Sequence, residues 1–137
     1  MRRWIAPLSL ALLVSTQANA YVDVDHAVDE IENGVMIIDA RNDNDFNAGN
    51  VHNSLQVDMT IRPLSDEIDT RSLAYQLRRV VDDKNQTVVI YSDTDENANK
   101  AEAALRKVGF LDIVNGGNYE GLKAALFRLC QKEYWFC

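Results

Sequence analysis

Two short runs, Val35-Met-Ile-Ile-Asp39 and Thr87-Val-Val-Ile-Tyr-Ser92, are nearly unbroken apolar stretches bounded by polar or glycine positions. A strand that alternates apolar and polar residues can keep one face in water, whereas a run without alternation must be covered on both faces. The two runs therefore predict central strands of a parallel sheet with helices on either side. Shorter segments at Tyr21–Val24, Leu55–Asp58 and Asp112–Val114 add three strands from context. Helical patterns separate them: Asp25–Glu32, a short turn near Asp43–Asn47, Asp66–Val81, Asp95–Val108 and Gly117–Cys130. This is the order of successive βαβ units, so the chain is read as α/β. In the fourth helix Ala98, Ala101, Ala104, Leu105 and Val108 recur at helical spacing. That stripe faces the sheet, leaving Glu102, Arg106 and Lys107 for water, and Gly109 stands where a C-terminal cap glycine would.

The first twenty residues obey a different logic. Arg2 and Arg3 precede an apolar run from Trp4 to Val14, and Ala18 and Ala20 have Ala-x-Ala spacing. Residues 1–20 thus read as a signal peptide for the general secretory route, cleaved after Ala20. Residues 21–137 then form one domain, since the remainder suits one modest core. The leader is too short to span a bilayer, and no later stretch approaches the roughly 20 apolar residues required, so no membrane insertion is expected after cleavage. Losing two arginines and no acid moves the formal charge from -7 to -9. A surface of that sign repels phosphate backbones and anionic headgroups, which argues against nucleic-acid or membrane-surface partners and leaves a protein partner open.

Cys130 and Cys137 are the only cysteines. Export favours oxidation, and a disulfide closing so small a loop contributes on the order of 2 to 3 kcal/mol. A reactive pair is disfavoured, because the spacing is not Cys-x-x-Cys and the flanking Phe127, Leu129, Tyr134, Trp135 and Phe136 would raise a thiol pKa. The aromatic tail Tyr134-Trp135-Phe136 is read as core packing, with partner docking as the alternative.

Taken together, two segments resemble the rhodanese superfamily. Val35-Met-Ile-Ile-Asp-Ala-Arg41, then Asp45-Phe46 and Gly49-Asn50-Val51, resembles the family's strand ending in Asp-x-Arg, its acidic-aromatic pair and its Gly-His-Ile. Thr87-Val-Val-Ile-Tyr-Ser92, a helix, Gly109-Phe110, Val114 and Gly116-Gly117 resembles its strand, active loop, helix and Gly-Phe...Gly-Gly ending. The resemblance implies a five-stranded parallel sheet with helices on both faces. Short exported members of this kind are similar to the phage shock protein E type of periplasmic sulfurtransferase, which implies a periplasmic location. Asp39 and Arg41, at the end of a buried strand, are expected to form a charge-assisted pair that fixes the following loop.

In active relatives the loop after the second strand begins with cysteine and includes an arginine, and its backbone N–H groups and helix N-terminus stabilise a thiolate that carries sulfur as a persulfide. Here it reads Ser92-Asp93-Thr94-Asp95-Glu96-Asn97-Ala98, with serine at the nucleophile position and Asn97 and Ala98 where arginine and a hydroxyl residue usually stand. An alcohol is far less acidic than a thiol and holds no stable persulfide. Three carboxylates further disfavour an anionic substrate, while Thr94 or Asp95 can cap the helix and Glu96 suits its first turn. The expectation is a catalytically degenerate binding or regulatory module without cofactor or metal. The enzymatic alternatives are sulfur transfer by Cys130 or Cys137, or a Ser92-dependent hydrolase. The only histidines are His26 and His52, and neither belongs to a recognisable triad. Asp43-x-Asp45-x-Asn47 and the Asp93–Asn97 cluster resemble calcium loops, yet both lack glycine at position six and glutamate at position twelve.

Overall fold

The computed structural model describes residues 21–60 and 70–132. In chain order the elements are α1 (Val24–Glu32), β1 (Met36–Asp39), α2 (Asp43–Ala48), β2 (Leu55–Gln56), α3 (Thr70–Val80), β3 (Val88–Ser92), α4 (Asp95–Lys107), β4 (Ile113–Asn118) and α5 (Tyr119–Lys132). The sheet order is β2-β1-β3-β4, and every pairing is parallel. β3 lies inside with all five residues buried, as its unbroken apolar run requires.

Successive strand side chains point to opposite faces, and this divides the core in two. Ile38, Val88, Ile90 and Ile113 pack against Leu73 and Leu77 of α3 and Ala101, Ala104 and Leu105 of α4. Ile37, Val89, Tyr91 and Val114 pack on the other face against Ala27, Val28 and Ile31 of α1 and Leu122 and Ala125 of α5. The helices thus lie on both faces of one sheet.

The described residues form four strands rather than the expected five. The segment Tyr21–Val24 contributes a single parallel bridge, Val22 to Asn115, with the Asp23 N–H donating to the Asn115 carbonyl at 2.8 Å. It stops there because the Asp23 carboxylate accepts from the His26 N–H and caps α1, which begins at Val24. β4 is longer than expected and runs through Gly116-Gly117 to Asn118. The start of the last helix moves to Tyr119 accordingly, with the Asn118 side chain accepting from the Gly121 N–H at 2.8 Å. The first part of the expected third helix, residues 66–69, lies outside the described residues.

Glu102, expected in water, is only 3% exposed. It accepts from Arg106 at 2.9 Å and from Asn115 Nδ2 at 3.1 Å, while Asn115 Oδ1 accepts from the Gly117 N–H. Periodicity could not show this, because the partner that makes burial tolerable belongs to β4. Among the described residues every buried side-chain nitrogen and oxygen has a partner. Among the described residues, too, no helix is long and apolar enough to cross a membrane.

Of the three described glycines with positive φ, Gly34, Gly109 and Gly117, the last two hold it for different reasons. Gly109 (+107°) ends α4, and a Cβ there would meet only the Lys84 side chain at 3.4 Å. Gly117 (+74°) sits where a Cβ would come within 2.7 Å of Val22 Cγ1 and 2.8 Å of Asp95 Oδ1. Gly109→Ala is therefore expected to cost about 1–2 kcal/mol in backbone strain, and Gly117→Ala measurably more because packing is displaced as well. Urea denaturation of both variants checks this, and equal costs would refute the packing argument.

Candidate functional site

The C-terminal edge of the sheet is organised around Asp39, which is 0% exposed at the end of β1, opposite Tyr91 of β3. Arg41, 6% exposed, donates Nε to Asp39 Oδ1 at 3.0 Å and Nη2 to Oδ2 at 2.7 Å, and its backbone N–H donates to Oδ1 at 2.9 Å. The Tyr91 hydroxyl donates to Oδ2 at 2.6 Å. The same hydroxyl accepts from the Val51 N–H at 3.0 Å and lies 3.2 Å from Ser54 Oγ. Arg41 Nη2 also reaches the Gly49 carbonyl at 2.6 Å, so one carboxylate fastens the whole 49–54 loop. The guanidinium stacks on Tyr119 of α5, with its Cζ 4.0 Å from the ring centroid.

Burial opposes the Arg41 charge, yet the hydrogen bond and charge of Asp39 outweigh it and raise the Arg41 pKa above its ordinary value. Burial pushes the Tyr91 phenol far up, and the carboxylate that accepts its proton pushes the same way. No motif in the sequence marks Tyr91 or Ser54 for this role. Tyr91 hides within an apolar run, and the one available signal is a hydroxyl on a strand that predicts complete burial.

Beside this network lies a polar pocket of about 230 Å³, lined by Arg41, Asn42, Asp45, Thr60, Ser92, Asp93 and Asn97, with Ala40 and Met59. Ser92 ends β3 and is 3% exposed. Its hydroxyl donates to Asp93 Oδ1 at 3.1 Å, an oxygen that also accepts from the Thr94 N–H and Asn97 Nδ2. Thr94 caps α4 by accepting from the Asn97 N–H, and the Ala98 N–H bonds the Thr94 carbonyl. Asp95 turns to β4, accepting from the Asn118 N–H and Nδ2, both at 2.8 Å. Glu96 is exposed and pairs with Lys100 at 3.1 Å. The loop's carboxylates thus take donors of the chain itself, at Ser92, Thr94, Asn97 and Asn118. Burial tends to raise the Asp93 carboxyl, but the bonds from Asn97, Ser92 and the backbone prevail and hold it below the usual carboxylate range.

The other candidates lie elsewhere. His52 is exposed and lines a separate, largely apolar cavity of about 460 Å³, so it is not brought to Ser92. His26 is on α1, 3.5 Å from Glu30. Cys130 lines that second cavity too, and Cys137 lies outside the described residues, as do residues 1–20 and 134–136. Asp43 and Asp45 lie in the first turn of α2, where negative charge suits the helix dipole, and the cap Asn42 accepts from the Asp45 N–H and donates Nδ2 to Asp45 Oδ2 at 3.0 Å. Among the described residues no three His, Cys, Asp or Glu side chains converge as a metal site would need.

This geometry yields two expected outcomes. Arg41→Ala strands the buried Asp39 carboxylate and is expected to cost about 3–5 kcal/mol, whereas Arg41→Ala with Asp39→Ala should cost less than the two single changes summed. Chemical denaturation of the double-mutant cycle measures it. The Asp93 carboxyl titrates lower in the folded chain than its ordinary 3.8. Its bonds therefore add stability above that pH and lose it as the pH falls through the folded pKa. Unfolding midpoints in the acid range should consequently fall less steeply for Asp93→Asn than for the parent chain, and identical slopes would refute the argument.

The family model of the rhodanese-like domain matches residues 23–124. No curated protein sequence matches at a significant level. Among solved structures, the solution structure of the rhodanese-like domain of an Anabaena protein is 18% identical, with a TM-score of 0.59 and coverage of 77% of this chain and 74% of that one. A crystal structure of the same Anabaena protein is 20% identical, with a TM-score of 0.58 over 75% of this chain and 85% of that one. Another, of its rhodanese-like domain, gives 0.53 at 20% identity over 66% and 92%. At such identities the structural likeness speaks to the fold alone, and it agrees with the family match. With that match spanning most of its length, the chain belongs to the rhodanese-like domain family.

Proposed function

We propose that this protein is an exported, non-catalytic binding or regulatory member of its family, in which Ser92 stands where active relatives carry the sulfur-accepting cysteine. The observation that carries the reading is the state of Ser92: its buried hydroxyl opens on the polar pocket and is tied to Asp93, with Asp45 also in the lining. Sulfur transfer needs an ionisable sulfur that leaves as readily as it attacks, and an aliphatic alcohol offers neither property near neutral pH. A serine hydrolase would also need a base to take and pass on the hydroxyl proton, and neither histidine is brought to Ser92: His52 lines the other cavity and His26 sits beside Glu30 on α1.

The pocket's charge supports the same reading. Arg41 is its one cation among the described residues, and that guanidinium is committed to Asp39 and the Gly49 carbonyl. Asp45 and Asp93 then set the sign of the field an incoming thiosulfate would meet, and like charge lowers its affinity. Residues 1–20 act as the leader that delivers the domain to the periplasm, and Cys130 with Cys137 forms a terminal disulfide there. The similarity to the phage shock protein E type is one of size and export, with a protein as the partner.

A thiosulfate-to-cyanide transfer assay should give no rate above the uncatalysed background for the parent chain. Ser92→Cys should restore little, because Asn97, Asp45 and Asp93 remain. A persulfide detected by mass spectrometry on the unaltered chain at stoichiometric yield would overturn the reading, and so would robust turnover.

A further inference from the structure

Asn33-Gly34, where α1 turns toward β1, and Asn115-Gly116, within β4, are the only two places in the sequence where asparagine is followed by glycine. The backbone nitrogen after an asparagine can attack the side-chain carboxamide, and a glycine there has no Cβ to shield that nitrogen. The two steps share this chemistry and differ in what the fold imposes on it. Asn33 is exposed at the C-cap of α1, with φ -71° and ψ -6°, and Gly34 follows, also exposed, at φ +81°. A Cβ built on Gly34 meets nothing within 4 Å, so the attacking nitrogen has open space beside it. Two bonds close the turn: the Gly34 N–H donates to the Ile31 carbonyl at 3.0 Å and the Val35 N–H to the Glu30 carbonyl at 3.3 Å. The first must open before the nitrogen attacks, and a helix end opens at little cost.

Asn115 is held in every respect that Asn33 is not. It is 2% exposed, its Nδ2 donates to Asn99 Oδ1 at 3.0 Å and to Glu102 Oε2 at 3.1 Å, and its Oδ1 accepts from the Gly117 N–H at 2.9 Å. Its carbonyl accepts from the Asp23 N–H, and a Cβ on Gly116 would come within 3.1 Å of Leu122 Cδ2 and 3.3 Å of the Ile90 carbonyl oxygen. Ring closure there requires β4 and its side-chain network to come apart, an opening far nearer in cost to global unfolding.

We infer that Asn33 is a site of spontaneous covalent modification, and that the fold withholds the same reaction from Asn115. The Gly34 nitrogen gives its proton to hydroxide and attacks Asn33 Cγ, the bond from Cγ to the carboxamide nitrogen breaks, and that nitrogen leaves as ammonia. A five-membered succinimide remains. Water opens it at either carbonyl, giving aspartate or, with the chain rerouted through the side chain, isoaspartate; nothing is oxidised or reduced. Either product places a carboxylate at the C-terminus of α1, against the helix dipole, in a last turn that has Glu30 and Glu32 and no basic residue. Isoaspartate also lengthens the backbone by one carbon directly ahead of Gly34 and Val35, which line the larger cavity, a groove walled along α5 by Tyr119, Lys123, Leu126 and Cys130.

Incubation of the full, unaltered chain at mildly alkaline pH tests this, with peptide mapping by mass spectrometry and electron-transfer fragmentation to tell isoaspartate from aspartate. Under native conditions conversion at Asn33 should outpace that at Asn115 by at least about tenfold, which a difference in opening free energy of only about 1.4 kcal/mol supplies. In concentrated urea the two rates should converge, because the same pair of residue types then reacts without the fold. An Asn33 that stays intact in the native chain while it converts in urea overturns the inference, as do equal native rates at the two sites. Rates that remain as far apart in urea overturn it too, since the local sequence rather than the fold would then set the difference.

Discussion

A carboxylate with no exposure to solvent is costly to hold, and Asp39 is held by four hydrogen bonds from three Arg41 donors, the backbone N–H, Nε and Nη2, and by one from the Tyr91 hydroxyl. Ionised groups taken out of water cost several kcal/mol each unless paired and hydrogen-bonded. The pairing fixes more than one strand end. Arg41 goes on to the Gly49 carbonyl and Tyr91 to the Val51 N–H, so the loop between α2 and β2 is shaped by satisfying a single charge. Tyr119 stacks on the same guanidinium and ties the start of α5 to the group.

The network also divides two environments. Arg41 lines the polar pocket at the strand ends, while Tyr119, stacked upon it, lines the apolar groove on the α1–α5 face. A planar cation against an aromatic face suits such a boundary, with charge turned to one side and hydrocarbon to the other. The two cavities have accordingly opposite chemistry although they share one stack of side chains as a wall.

Within the polar pocket the electrostatics are local and largely closed. Asp93 gathers donors from Ser92, Thr94 and Asn97, Thr94 caps α4, and Asp95 joins the loop to β4 through Asn118. A loop whose carboxylates accept from the chain's own groups is stiff, and it turns negative rather than positive charge toward an incoming ligand. The fold family is defined by the backbone frame, whereas this character depends on a handful of side chains in one turn.

Much of the architecture was legible because it is local. Unbroken apolar runs placed β1 and β3, helical periodicity placed α4, and the acids and threonine after Ser92 marked a helix start; each signal lies within about a dozen residues of what it specifies. Weak local signals were overridden by neighbours. Tyr21–Val24 shrank to a bridge once Asp23 capped α1, β4 grew through two glycines, and Glu102 left the surface for Asn115. By itself, then, the sequence determined the α/β order, the inner strands and the composition of the loop after β3. Only the tertiary structure decided that Asp39 meets Tyr91 across 52 positions, that His52 and Cys130 face a different cavity from Ser92, and that the groove runs along α5. The physical reason is that a buried charge or hydroxyl selects its partner in space, and no periodicity in the chain encodes which distant residue will supply it.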